Sequence, residues 1–505
     1  MEKGFAEKEG YEPVLDSTWG KIEDVVNAPL IDVAPDASWL ATFFFYVFLP
    51  VILPFVIPVA CLPCLFVIYV LGLCNCDCSI TFSVLGAVRC GRPLFLAPNM
   101  WLGWLGVIVL FVQSKATRLL LFLREWKVFG SGRYWYHGEG VWCWRYLDVD
   151  TILKEPQMRK SAFGCVRAPI PDMFATNILV FLPNLEDGVE CEWRSVRTAM
   201  HMVIFAPAAK RLKDDNFKAI IEQQIPNPSL ESLSDTSLLQ KTVVKVMFYV
   251  LFGARLTDED ADTIELWAKT AKMAIFPRMV QRIAFNLFIK KMKTLRVETV
   301  HLFEKYGLCN QIYEINKLLP DKYKRDPVVK LCDEVSYILC FAGINGPIAG
   351  MTTCAAFLQA QKPGESAADL IDFSKYPTSE AMVSIYKTNP GSYVKEACRL
   401  DPPVTSATTS LARDETLELS NREIWFEKGT LQQYALSMAN RDDSVFSDPE
   451  LFDPTRPNLD QSLTWNGAFG MESSREHDEK TYPRICPGRY FSIDVISSIL
   501  SHIVG

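Results

Sequence analysis

The chain has 505 residues, of which 49% are hydrophobic and 12% aromatic, so it can bury a large core in up to about three average domains. Its formal net charge is −7 and no long basic run occurs, which gives no reason to expect nucleic-acid binding. The 15 cysteines lie mostly singly in apolar surroundings, which indicates reduced thiols on the cytosolic side of a membrane rather than a disulfide framework.

The N-terminal part of the sequence is typical of a membrane protein. Residues 1–38 are polar and acidic, so we expect a poorly ordered tail. Two uncharged apolar runs follow at 39–74 and 93–113. Because one span needs about 20 apolar residues, the second run suits a single transmembrane helix, and the first, interrupted by four prolines, suits a kinked helix or a helical hairpin. The alternative is that both runs are buried core helices. We therefore predict a membrane anchor within residues 39–113.

Basic residues after the second run predict the orientation in the membrane. By the positive-inside rule they place residues 114–505 in the cytosol, and we expect an endoplasmic reticulum membrane. The late start and the length of the first run are not typical of a cleaved signal peptide. The basic residues concerned are Lys115, Arg118, Arg124, Lys127 and Arg133.

Helical spacing of apolar residues dominates residues 114–505, with short β-like runs before 182, so the predicted fold is mainly α with small β-sheets. One long predicted helix, 326–360, carries a break at 341–350, where three glycines and Pro347 interrupt it. Proline removes a helical hydrogen bond, so we expect a kink near Gly343. The alternative is a flexible connection between two helices.

A cysteine near the end of the chain, Cys486, lies between Arg484 and a Pro-Gly turn that begins another helix. The positive end of a helix dipole with basic residues nearby favours a thiolate. A thiolate is a good axial ligand for haem iron. Taken alone, a cysteine at this position is more often a buried hydrophobic residue than a ligand.

Five patterns in one order resemble the cytochrome P450 superfamily. They are Trp193-x-x-x-Arg197, the glycine-broken helix, Glu396-x-x-Arg399 before Pro-Pro, the segment 448–456 that ends in Arg456, and the Cys486 loop. The resemblance implies a cytochrome P450-like fold, preceded here by N-terminal transmembrane helices, and haem (iron protoporphyrin IX) as cofactor.

The resemblance also implies roles for single residues. Cys486 would be the axial ligand of the haem iron, and Trp193 with Arg197 would hold one haem propionate. Arg484 would hold the other propionate through a charge-assisted contact. The remaining three residues would form a structural ion-pair triad behind the haem: Glu396, Arg399 and Arg456.

Two departures from the family pattern bear on the reaction. The Asn-Gly turn at 466–467 is separated from Cys486 by a polar insert, 471–482, and the usual phenylalanine position holds Glu479. This long loop resembles the allene oxide synthase and hydroperoxide lyase branch. In place of the family's acid and threonine, the broken helix has Asn345 and Gly346 in one register or Thr352 and Thr353 in another, and neither register contains an acid. An amide is a poor proton relay at neutral pH.

These departures favour a membrane-anchored haem-thiolate enzyme that rearranges or cleaves a fatty-acid hydroperoxide, with Asn345 and Thr352 as catalytic residues. The substrate would be an apolar small molecule or lipid, reached from the surrounding membrane lipids. The first alternative is a monooxygenase that needs an NADPH-dependent reductase, with Thr352 or water supplying the proton. The second is a non-catalytic haem or membrane protein, because the chain stops at Gly505 as if truncated.

Overall fold

The computed structural model describes most of the chain after residue 134. The described ranges are 140–155, 192–271, 294–359 and 371–505, together with the strands at 135–137, 158–160, 185–186 and 189–190; gaps within those ranges are 296, 327, 406, 412–413, 420–421, 427–430 and 469–479. The predicted tail and both apolar runs lie outside these residues. Within the described part of the chain, no helix combines the length and the apolar character that crossing a membrane requires.

Helices dominate the described residues, as predicted. Helices α1 to α13 are Tyr146–Lys154, Glu192–Met200, Ala206–Arg211, Asp215–Gln224, Thr236–Phe252, Asp258–Ala271, Cys309–Leu318, Val329–Ile338, Asn345–Leu358, Ser379–Thr388, Pro390–Leu400, Leu436–Ala439 and Arg489–Val504. Two π-helical segments, His201–Phe205 and Leu339–Ile344, and three 3-10 turns, Leu230–Ser234, Asp321–Tyr323 and Leu459–Gln461, adjoin them. Residues 297–305 are also helical.

The predicted small β-sheets are confirmed. Strands β1 to β9 are Trp135–His137, Gly140–Cys143, Met158–Lys160, Leu185–Glu186, Val189–Glu190, Ala407–Leu411, Glu415–Leu419, Arg422–Phe426 and Leu431–Tyr434. A five-stranded sheet has the order β1-β2-β9-β6-β3, in which only the β2–β9 pair is parallel. Two antiparallel pairs, β4–β5 and β7–β8, complete the strands.

The break predicted in the long helix lies at a change of helix type. Between α8 and α9 the chain adopts the π-helical segment Leu339–Ile344, which includes Gly343. Pro347 has no N–H to donate to the carbonyl four residues back, that of Gly343, so the regular hydrogen-bond ladder is interrupted there. The predicted break is therefore present as a change of helix type at Leu339–Ile344, and the helical stretch continues through it rather than forming a flexible connection.

Two apolar clusters form the core of the described residues. The larger one joins α2 to α11 and α13, and Cys486 packs against it. The smaller one joins α1, the strands β6 to β9 and the residues just before the cysteine, including Tyr482 and Ile485. The cysteine loop is thus held between the helical core and the sheet side of the molecule.

Helix α9 crosses α11 and α13 at a glycine. A Cβ at Gly350 would lie 3.0 Å from Ile496 Cδ1 and 3.4 Å from Cys398 Sγ. Four residues earlier in the same helix, a Cβ at Gly346 would meet no atom within 4 Å. The helices therefore approach closely at Gly350, and the side of α9 at Gly346 is open.

This difference predicts a difference in stability. We expect Gly350→Ala to be less stable than Gly346→Ala by about 1–3 kcal/mol, because a methyl group forced into a packed contact costs that much while both variants gain the same helix propensity. Urea unfolding of both variants measures the two free energies. Adding Ile496→Val to Gly350→Ala removes the closest atom and should recover part of the loss; equal stability of the two single variants would contradict the contact.

Candidate functional site

Cys486 is held by backbone hydrogen bonds on both sides. Its own N–H donates to the Trp465 carbonyl at 2.8 Å, and the Ile485 N–H donates to the Tyr482 carbonyl at 3.0 Å. The Cys486 carbonyl accepts from Arg489 Nη1 at 3.0 Å. Helix α13, capped by Gly488, begins three residues after the cysteine. The sulfur therefore lies close to the positive end of a long helix, which favours a thiolate.

Other described cysteines have a different environment. Burial raises the pKa of the Cys143, Cys340 and Cys354 thiols above the ordinary value, so these remain protonated at neutral pH. Cys486 is only partly buried, and among the described cysteines it shares that partial exposure with Cys309 alone. A hydrogen bond with the Cys332 thiol lowers the pKa of Cys309, whereas Cys486 lies at the start of α13 between Arg484 and Arg489, where a thiolate would face two basic side chains.

Two buried arginines face one indole ring beside this loop. Arg484 Cζ lies 4.2 Å and Arg197 Cζ lies 5.8 Å from the centre of the Trp193 ring. Arg197 Nη2 also donates to the Ile485 carbonyl at 2.7 Å, one residue before the cysteine. The structure therefore brings together the four residues that the sequence predicted to bind cofactor: Trp193, Arg197, Arg484 and Cys486.

An ion-pair network fixes the helix that carries Trp193 and Arg197. Glu192, in the first turn of α2, pairs with Arg325. Arg325 also binds the buried Glu334 of α8 through two contacts of 3.1 Å. Trp193 and Arg197 lie four residues apart on one face of α2. The ion pairs that anchor the first turn of α2 therefore also orient both side chains toward the cysteine loop.

The predicted triad of Glu396, Arg399 and Arg456 is present and fully enclosed. Glu396 accepts two hydrogen bonds from Arg399, at 2.7 and 2.8 Å, and one from Arg456 Nε at 3.1 Å. Glu396 and Arg399 are fully buried and Arg456 is 8% exposed. The arginines also donate to backbone carbonyls of the segment that precedes the cysteine loop, including those of Asn440, Pro449 and Leu451. The triad ties α11 to that segment.

The polar side chains at the broken helix are engaged with protein groups. Asn345 Nδ2 donates to the Ala268 carbonyl of α6 at 2.6 Å, and Thr352 Oγ1 donates to the Ile348 carbonyl of its own helix at 3.0 Å. Thr353 Oγ1 donates to Asp401, whose pKa is raised by burial. The Asn345 side chain therefore holds α6 against α9. At the next residue, Gly346, the space that a side chain would occupy is empty. The catalytic roles of Asn345 and Thr352 stay predictions.

Comparisons with known proteins point to one fold. Residues 391–504, which contain the Glu396–Arg399 pair and the cysteine loop, match the family model of cytochrome P450. The structure of a P450 EryK mutant in complex with erythromycin B matches with 15% identity, covering 77% of this chain and 89% of EryK, at a TM-score of 0.51. The chain has the cytochrome P450 fold.

Two further P450 relatives are similar to this chain. The cytochrome P450 monooxygenase ATR3 of Stachybotrys chlorohalonatus is 29% identical over 136 residues, which are 25% of this chain and 28% of the relative. The chain therefore spans about a quarter of the curated relative it matches. A myxobacterial P450, CYP267B1, in complex with myristic acid is 15% identical, with 78% of this chain and 89% of that one covered at a TM-score of 0.51.

Haem iron is the cofactor that goes with the P450 fold, and the residues present fit it. Haem carries two propionate carboxylates, and the two guanidinium groups beside Trp193 supply two positive charges next to the cysteine loop. The Trp193 Nε1–H is buried without a hydrogen-bond acceptor among the described residues, so it is available to a ligand. Cys486 is the residue that would supply the sulfur for haem iron.

The comparisons give the hydroperoxide branch no support, since none of the relatives named above is an allene oxide synthase or a hydroperoxide lyase. P450 proteins generally receive electrons from a reductase or a ferredoxin and act on a small apolar substrate.

Sequence reasoning missed the residues that hold the cysteine loop from outside it. Trp465 offers the carbonyl that accepts from Cys486, and Tyr482 Oη donates to Asp150 of α1 at 2.7 Å. The Asn466-Gly467 dipeptide is a strong turn signal and could have marked the first of these contacts. Asp150 lies over 300 positions away, and no local pattern indicates it.

Proposed function

We propose that this protein is a haem-thiolate monooxygenase that oxidises a small apolar substrate with electrons from a reductase or ferredoxin partner. The observation that carries the proposal is the grouping of Cys486, Arg197 and Arg484 at the start of α13. Support also comes from the family match over 391–504 and from the monooxygenase relative.

Each residue of the site has a proposed task. Cys486 binds haem iron through its sulfur, while Arg197 and Arg484 orient the cofactor through its two carboxylates. When bound, haem supplies the iron that activates dioxygen for insertion of one oxygen atom into the substrate. Thr352, six residues after Gly346 in α9, would relay a proton once its hydroxyl turns away from the Ile348 carbonyl, and Asn345 fixes the start of this helix by its bond to Ala268.

A second candidate is the rearrangement or cleavage of a fatty-acid hydroperoxide. One observation favours it: residues 341–353, around the helical break, contain no carboxylate. Dioxygen activation needs proton delivery, whereas a substrate that already contains an O–O bond does not require a carboxylate relay. This candidate would use neither reductase nor NADPH.

We also propose that the uncharged runs at 39–74 and 93–113 attach the protein to the endoplasmic reticulum membrane with the haem domain in the cytosol. Their length and lack of charge support attachment. Lipids concentrate an apolar substrate beside the enzyme, so a lipid substrate suits this arrangement.

An oxygen-labelling experiment separates the candidate functions. Haem-loaded protein is incubated with a panel of long-chain fatty acids, NADPH, a P450 reductase and isotopically heavy dioxygen, and in parallel with unlabelled fatty-acid hydroperoxides alone. We expect products that carry one heavy oxygen atom and form only when reductase and NADPH are present. Turnover of hydroperoxides alone, without label, would favour the second candidate; no turnover in either arm would contradict both.

A further inference from the structure

We infer that a contact between the turn 464–468 and Tyr482 closes the cysteine loop, so that Tyr482 is a positioning residue for Cys486 and the insert between them is dispensable for it. This inference rests on the proposed haem-thiolate function. It deepens that proposal by naming what holds the sulfur in place when the family's continuous loop is interrupted.

The first observation is a close approach across the insert. A Cβ at Gly467 would lie 2.6 Å from Tyr482 Cγ and 2.9 Å from Tyr482 Cβ. Gly467 also has a φ of +156°, which side chains rarely adopt. Only glycine allows the tyrosine ring to lie directly on the backbone of this turn. The two ends of the insert, next to Gly467 and at Tyr482, are therefore in contact with each other.

The second observation is that both sides of this contact lead directly to the cysteine. Trp465, two residues before Gly467, accepts the Cys486 N–H at 2.8 Å. Tyr482 accepts the Ile485 N–H at 3.0 Å through its carbonyl, which closes the turn just before the sulfur. The positions of Gly467 and Tyr482 therefore fix the backbone on which Cys486 lies.

The third observation is that Tyr482 is itself anchored. Its hydroxyl donates to Asp150 of α1 at 2.7 Å. Lys154 Nζ lies 5.5 Å from the centre of its ring. Burial, followed by the nearby Asp150 carboxylate, raises the pKa of Tyr482, so the hydroxyl remains a proton donor to that carboxylate. Helix α1 thus supports the turn from the sheet side.

Residues 471–480 lie between two points that are already in contact. Removing them leaves Ala468, Phe469, Gly470 and Thr481 between Gly467 and Tyr482, which is the length of an ordinary four-residue hairpin loop. The thiolate geometry should therefore survive the deletion but not the loss of the Gly467–Tyr482 contact.

The test compares full-length variants by the absorption of the reduced, carbon monoxide-bound haem. Deletion of 471–480 should keep the thiolate-type Soret band, with a thiolate fraction within about twofold of the unmodified protein. Gly467→Val and Tyr482→Ala should bind haem but convert most of it to the thiol-type band, while Tyr482→Phe, which keeps the ring, should retain more of the thiolate-type band than Tyr482→Ala. Gly391→Ala, whose Cβ would have ordinary contacts of 3.8 and 4.0 Å, is the matched glycine control.

The outcomes separate this inference from the function on which it rests. The inference alone would be overturned if the unmodified protein and Gly467→Val both show the thiolate-type band and the deletion variant does not. If the full deletion does not fold, removal of 473–478 only is the second variant and is read in the same way. Absence of the thiolate-type band from the unmodified protein would overturn the proposed function and the inference together.

Discussion

Cys486→Ala is expected to lower haem occupancy by roughly tenfold or more, because the variant loses the iron ligand itself and removing even supporting groups of a metal site costs about that much affinity. The helical core should persist, since Cys486 only packs against its edge. The haem-to-protein ratio of the purified variant, with circular dichroism for helix content, measures both effects.

Cys309→Ala is the matched control, because Cys309 is the other half-buried cysteine among the described residues and begins α7 rather than belonging to the cysteine loop. It should keep haem at the occupancy of the unmodified protein. Haem at normal occupancy in Cys486→Ala would refute the ligand assignment.

Glu396→Gln is expected to destabilise the protein by about 3–5 kcal/mol, the cost of leaving a buried charge without its partner. Glu396 is fully buried and is the carboxylate between Arg399 and Arg456. Glutamine keeps the shape and can still accept hydrogen bonds, but it leaves two guanidinium groups facing each other without a negative charge. Urea unfolding of the variant measures the loss.

Glu314→Gln is the control for this prediction. Glu314 also pairs with a cation three residues later, Lys317, but both side chains are more than half exposed. Water and salt screen such a pair, so this variant should change the free energy of unfolding by less than about 1 kcal/mol. A loss in Glu396→Gln as small as that of the control would contradict a structural role for the triad.

Features that depend on neighbours in the chain were predictable from the sequence. The spacing of Trp193 and Arg197 predicted one helix face, and the structure has both on α2. The spacing of Thr257 and Asp260 is that of a capping pair, and their side chains bond each other at 2.7 Å at the start of α6. Pro347 predicted the helical break because it has no N–H group, so one backbone hydrogen bond is lost within its own helix.

Features that depend on distant parts of the chain were not predictable from these patterns. The position of Asn345 in the broken helix predicts a catalytic residue, yet its amide donates to Ala268, 77 residues away. The pair Glu396–Arg399 is an ordinary surface ion pair when judged by spacing alone, and only the packing of α11 encloses it. The contact of Gly467 with Tyr482 crosses an insert, and local periodicity carries no information about such a closure.

The most direct measurement of the central claim is the absorption spectrum of the purified, unmodified protein with reduced haem and carbon monoxide. Sulfur from Cys486, supported by the start of α13 and by the Trp465 carbonyl, predicts the thiolate-type Soret band. A band typical of histidine or neutral thiol ligation, or failure to take up haem, would contradict the assignment of Cys486 as the iron ligand.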